Sequence, residues 1–189
     1  MDEVVARFQK AANLVDASLH EITSDEAWSR PTPCADWDVR ALLQHVVSEL
    51  AWIAPLVEGR TIAEVGNELE GDLLGADPLG AFHHHCRAAH EALEQPGALE
   101  RTVHLSFGDY SGAYYADQVG GDVLVHAWDL ARALGRDDTL PDDLVAWGEQ
   151  WAAAVLSQFG PSEYFATPPA VPDDADRQTR FLASLGRAR

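Results

Sequence analysis

Gly121-Asp122-Val123-Leu124-Val125-His126-Ala127-Trp128-Asp129-Leu130 carries two patterns at once. Val123, Ala127 and Leu130 recur at helical spacing, with Val119 before them and Leu134 after, and this predicts a long core helix from about Gly112 to Leu134 that closes at Gly135. Gln118, Asp122, His126 and Asp129 form a polar stripe beside that apolar face. Asp122 and His126 stand four residues apart, so a helix places one above the other, close enough to share an ion. A second stretch, Leu42-Leu43-Gln44-His45-Val46-Val47, sets His45 at the edge of another stripe made by Leu42, Leu43, Val46, Leu50, Ile53 and Val57, near Trp52 and Leu56. His45, Asp122 and His126 together are the candidate metal ligands. Three protein ligands leave coordination positions open for water or substrate, as reactive metal sites require.

Plainer roles exist for each residue. His45 fits a surface or core-edge histidine, and Asp122 with His126 fits a helical pair worth a few tenths of a kcal/mol. Yet an aspartate beside two glycines amid apolar residues must be solvated, paired or metal-bound, because an isolated buried carboxylate is costly. Glu49, one turn after His45, is an alternative ligand or an acceptor for an imidazole N–H, and Asp129 has the same choice or a salt bridge with Arg132. His83-His84-His85 is a weaker candidate, since consecutive helical residues point about 100° apart and cannot converge on one ion. His90 and His104 are read as ordinary histidines. Cys34 precedes a helix start, where a thiolate is favoured, but no reactive partner accompanies it in sequence, so it reads as buried and inert. No residue stands out as a general base.

Working outward, Val4, Phe8, Ala11, Ala12, Val15 and Leu19 predict a helix from Asp2 to about His20. After the rigid Pro31-Thr32-Pro33-Cys34, Asp36 is the expected N-cap of a helix running to about Glu58 and closed by Gly59. Asp77-Pro78 opens a third helix to about Gln95, with Phe82, Cys86, Ala89 and Leu93 inward. Arg101 to Tyr110 alternates and turns at Gly108-Asp109, which predicts a hairpin-like crossover that lets two bundle helices run in the same sense. Gly120-Gly121 costs about 1 kcal/mol per glycine relative to alanine unless close packing compensates. Pro141-Asp142 opens a fifth helix to about Phe159, Pro161 to Pro172 is irregular, and Asp176 to Leu185 forms a short last helix.

The chain has 189 residues, 47% of them apolar, which suits a single domain over residues 1–189 with one core. Thirteen basic against 31 acidic residues give a formal charge of −18, which repels nucleic-acid phosphates and anionic lipid. No apolar run reaches membrane-spanning length or resembles a signal peptide, and the two cysteines, Cys34 and Cys86, are expected to be reduced thiols, so a soluble cytoplasmic protein is expected. Lys10 is the only lysine, a bias of GC-rich genomes.

Pro31-Thr32-Pro33-Cys34-Ala35-Asp36-Trp37-Asp38-Val39-Arg40, the His45 segment, His126-Ala127-Trp128-Asp129-Leu130-Ala131-Arg132-Ala133 and Phe181-Leu182-Ala183-Ser184-Leu185-Gly186-Arg187 follow one another as in a known family. Their order resembles the DinB-like superfamily, in its actinobacterial branch related to the N-terminal domain of mycothiol-dependent maleylpyruvate isomerase. The resemblance implies an all-α, DinB-like four-helix bundle with a long crossover and extra C-terminal helices. It also implies one divalent metal held by His45, Asp122 and His126. The isomerase carries Glu at the position of Asp122 and an additional C-terminal domain that helps build its active site. The expectation is therefore related thiol chemistry: the metal, zinc first and nickel or iron next, activates the thiolate of mycothiol toward an electrophilic small molecule in S-transfer or isomerisation. The rival is a non-catalytic metal-binding or stress-associated bundle acting through self-association, as a homodimer, or through a partner, for which Trp147, Trp151, Tyr114 and Tyr115 are candidate interface aromatics. At a charge of −18 the protein should show no salt-sensitive retention on immobilised duplex DNA, and tight retention that salt abolishes would reverse the exclusion of nucleic acid.

Overall fold

A computed structural model describes residues 2–160 and 167–189. The elements are α1 (Glu3–Leu19), α2 (Val39–Val57), α3 (Ile62–Val65), α4 (Pro78–Leu93), β1 (Thr102–Leu105), β2 (Gly108–Ser111), α5 (Gly112–Ala133), α6 (Asp142–Phe159) and α7 (Arg177–Ser184), with a 3-10 turn at Asp25–Ser29. The fold is all-α apart from the antiparallel hairpin of β1 and β2. Two compact units are present, residues 1–136 and 137–189.

In the first unit α1, α2, α4 and α5 form a four-helix bundle in which α1 packs on α5 and α4, and α2 packs on α4 and α5. Phe8, Leu42, Leu50, Phe82, Leu124 and Trp128 fill its core. Side-chain caps start each of these four helices: Asp2 accepts from Val4 N–H, Asp77 from Gly80 N–H and Ser111 from Tyr114 N–H. The cap of α2 is Asp38, which accepts from Ala41 N–H, and not Asp36. Backbone bonds from Val39 N–H to Arg30 and from Thr32 N–H to Trp37 close a loop just before the helix. Within it Trp37 N–H bonds the Cys34 carbonyl, and Asp36 sits at φ 67°, a left-handed position that aspartate tolerates better than most residues.

Side-chain bonds fix the helix directions. Arg7 reaches Asp117, and Arg136 reaches the Ala17 carbonyl, so α1 and α5 run in the same sense. Arg40 bonds Asp72 and Gln44 bonds the Gly71 carbonyl, whereas Arg101 bonds the Val57 carbonyl, so α2 and α4 also run in the same sense. The connection that carries the chain back along the bundle is therefore residues 58–77, not the hairpin. It holds α3, started by a Thr61/Glu64 capping box and stopped by Gly66 at φ 58°. The hairpin joins α4 to α5, which run in opposite senses.

In the second unit α6 and α7 pack together. A Cβ at Gly148 would lie 2.6 Å from the Phe181 ring, so the missing side chain sets how closely the two helices approach. Gln178 closes the unit by accepting from Leu140 N–H and donating to the Asp138 carbonyl. Trp147, Trp151 and Tyr115 are buried and Tyr114 is half-buried. Of the stretch expected to be irregular, residues 161–166 lie outside the described ones, and 167–172 have no regular structure. Among the described residues no helix is long and apolar enough to cross a membrane.

Gly112, where β2 passes into α5, donates to the Arg101 carbonyl, and a Cβ there would fall on the Ala98 carbonyl oxygen. Backbone cannot move aside as a side-chain tip can. Gly112→Ala should cost about 1–3 kcal/mol in urea unfolding, and an unchanged midpoint would show that the turn tolerates the extra atom.

Candidate metal centre

Antiparallel packing of α2 on α5 brings the start of one helix to the later half of the other. His45 Nε2 lies 3.1 Å from Asp122 Oδ2, and His126 Nε2 lies 3.5 Å from Asp122 Oδ1. The two imidazoles meet edge to face with centroids 4.9 Å apart. Each of the three residues offers one donor atom, and all three atoms lie within 4.8 Å of one another. Among the described residues no further Cys, His, Asp or Glu joins that group. Solvent reaches it from one side: the side chains of His45 and Asp122 are 28% and 35% exposed, that of His126 only 6%.

The closed side is built around Asp129, whose side chain has no exposure at all. Its Oδ2 lies 3.0 Å from His126 Nδ1 and accepts from the Cys34 thiol at 3.2 Å. An ionised carboxylate can only accept, so Nδ1 of His126 carries the proton of that bond and Nε2 is the nitrogen left to face Asp122 and His45. Cys34 Sγ is also 3.8 Å from His126 Nδ1. Trp37, from the same loop, flanks both imidazoles, with ring centroids 4.9 Å from His45 and 5.9 Å from His126. The guanidinium of Arg132 lies over the Trp128 ring.

Cys34, read from the sequence as buried and inert, is only half-buried and takes part in the site. Its partners are 92 and 95 positions away, and only closure of the 31–38 loop onto α5 brings them together. The signal available was a cysteine in a proline-stiffened segment immediately ahead of the His45 helix. Glu49 stands one turn beyond His45. Burial and the neighbouring Asp122 charge push its carboxyl above the ordinary range, with His45 and His126 pulling the other way.

Burial alone would raise the Asp122 carboxyl and lower the His126 imidazole. Their mutual attraction outweighs that, helped by the hydrogen bonds that Asp122 accepts from His126 and His45, and by those that His126 makes to Asp129 and Cys34. In the metal-free protein Asp122 is therefore held well below its ordinary 3.8 and His126 well above its ordinary 6.5.

The remaining histidines pair elsewhere. His83 Nε2 lies 2.6 Å from Asp16, the rings of His84 and His85 meet edge to face, His90 faces Glu94, and His104 faces Asp109 across the hairpin. Cys34 and Cys86 are free thiols, and burial with a contribution from Asp16 pushes Cys86 up to about 11.

Residues 8–131 match the family described as the mycothiol maleylpyruvate isomerase N-terminal domain. The chain belongs to that family. It is also similar to two uncharacterized proteins of Mycobacterium tuberculosis, one from strain CDC 1551 / Oshkosh and one from strain ATCC 25618 / H37Rv. Each is 32% identical over 200 residues, covering 99% of this chain and 98% of the relative. No solved structure matches. The family match covers α2, α5 as far as Ala131 and the loop between Arg30 and Asp38, so every residue of the α2–α5 cluster lies inside it.

The charges imply a particular pH response. Asp122, depressed in the fold, contributes stability above its unfolded value of 3.8 and loses it as pH falls through the folded value; His126, raised in the fold, contributes fully below 6.5 and loses it as pH rises through its folded value. With chelator present, the melting temperature should thus decline as pH climbs past 6.5, and His126→Gln should flatten that decline. Equal slopes for the two proteins between pH 6 and 9, a range of about three units around the imidazole value, would contradict the pairing.

Proposed function

We propose that this protein is a divalent-metal-dependent enzyme in which His45, Asp122 and His126 hold the ion and a low-molecular-weight thiol, mycothiol, is transferred to or isomerises an electrophilic small molecule in the cytoplasm. The observation that carries the reading is the one-sided arrangement of the cluster. Three donor atoms converge, His126 is locked from behind, and the His45 and Asp122 side is open to solvent.

The residues fit a metal on the chemistry of their donor set. Two imidazole nitrogens and a carboxylate suit zinc, with nickel or iron as further candidates. A buried carboxylate on the far nitrogen of a ligating histidine is the support that such sites use to fix ring orientation and raise ligand basicity. When bound, a divalent ion lowers the pKa of a coordinated thiol so that thiolate is present at neutral pH.

The chain's own residues do the rest. Asp122 supplies the one negative charge among the three ligands, and Asp129 with Cys34 holds the His126 ring in a single tautomer and orientation. Glu49, with its proton affinity raised, is the group in this reading that accepts the proton a thiol gives up. Trp37 forms an aromatic wall beside both imidazoles and excludes water from that flank.

His45→Ala, Asp122→Ala and His126→Ala should each lose bound metal and thiol-dependent turnover together, while His84→Ala keeps both. Asp129→Asn should weaken metal binding by about 10–100-fold. Glu49→Gln should keep its metal and lose turnover; loss of metal instead would make Glu49 a ligand. Because the ion must displace the His126 proton, affinity should rise by about tenfold per pH unit until that proton is gone. Full metal occupancy in all three ligand variants would refute the assignment, and metal binding with no turnover on any thiol would leave a non-catalytic metal-binding bundle.

A further inference from the structure

A second cluster repeats the construction of the first at another place in the bundle. Asp16 lies in the last turn of α1, His20 caps that helix four residues later, and His83 stands near the start of the antiparallel α4. Asp16 Oδ1 is 2.6 Å from His83 Nε2 and 3.5 Å from His20 Nε2, and the two imidazole centroids are 5.9 Å apart. One donor atom from each residue lies within 4.8 Å of the other two. As at the first cluster, an Asp-x-x-x-His step on one helix is completed by a histidine from its antiparallel neighbour. The step of the first cluster lies on α5 and its third ligand on α2, so the two groups share no helix.

We propose that Asp16, His20 and His83 form a second divalent-metal site, independent of the first. Two imidazoles and one carboxylate select a borderline transition ion, with copper(II) or zinc bound more tightly than magnesium or calcium, which prefer all-oxygen sites. The side chains are 35%, 58% and 45% exposed, so water completes the coordination and the ion enters without any opening of the bundle. Asp16 and His83 also line a groove of about 480 Å³ between α1 and α4, whose floor includes Phe82. An ion held here bridges the end of α1 to the start of α4 and stabilises the bundle by mass action. The formal charge of −18 raises the local concentration of cations at such an open site.

The difference from the His83-His84-His85 run explains why spacing alone could not find it. His83 does not converge with its sequence neighbours, and His84 pairs with His85. Its partners come from another helix, 67 residues earlier in the case of Asp16.

The test uses the full chain carrying His45→Ala, which removes a ligand from the first cluster, titrated calorimetrically with zinc alone at pH 7.5. That protein should bind one equivalent. Adding His83→Ala or His20→Ala should weaken the binding by at least about tenfold, whereas adding His84→Ala should not change it. His20, His83 and His84 are all exposed, so their replacement leaves the core intact. In the unsubstituted protein, zinc should also shift the imidazole resonances of His20 and His83 but not those of His84. The proposal is overturned if the His45→Ala protein binds no zinc, if His83→Ala leaves its affinity unchanged, or if the His20 and His83 resonances do not respond.

Discussion

The architecture of the candidate centre depends on one buried carboxylate. Asp129 has no contact with solvent, and a charge so placed costs several kcal/mol unless donors surround it. Two of its donors come from different parts of the chain: His126 from its own helix and Cys34 from the loop ahead of α2. Satisfying Asp129 thus fixes the His126 ring and draws the 31–38 loop onto α5. That loop ends in Asp38, the cap of α2, so the same contact sets where the His45 helix begins.

The directions of the four helices supply the other constraint. Because α1 runs with α5 and α2 runs with α4, each like-directed pair meets the other pair antiparallel. At one antiparallel boundary, α2 against α5, the start of one helix lies beside the later half of the other, and at the α1–α4 boundary the end of one lies beside the start of the other. Both boundaries hold an Asp-x-x-x-His step facing a histidine. The twenty-residue return between α2 and α4 makes this arrangement possible, since a short turn would force α2 and α4 to alternate in direction.

Much of this was legible in the sequence, and the limits are physical. Apolar periodicity located α1, α4, α5 and α6 to within a residue or two at their starts, because each opens on a capping residue or proline whose role is local. The α2 cap was misplaced by two residues, since Asp36 and Asp38 are equivalent as caps and the choice between them is made by the backbone bonds from Val39 N–H to Arg30 and from Thr32 N–H to Trp37. Asp122 and His126 could be paired from helix geometry alone. His45 was grouped with them from its place at the edge of the α2 stripe, and the family resemblance implied the same three, but that it faces them follows from helix directions that no local signal carries. The partners of Cys34 and the Asp16–His20–His83 group were missed for the same reason. Their chemistry lies in contacts between segments tens of residues apart.

Trp37 has one more consequence. Its indole lies half-buried beside both His45 and His126, and a protonated imidazole in contact with an excited indole drains its emission. The ring thus makes the centre self-reporting: a change in charge on His126 alters the brightness of one native fluorophore, with no label attached.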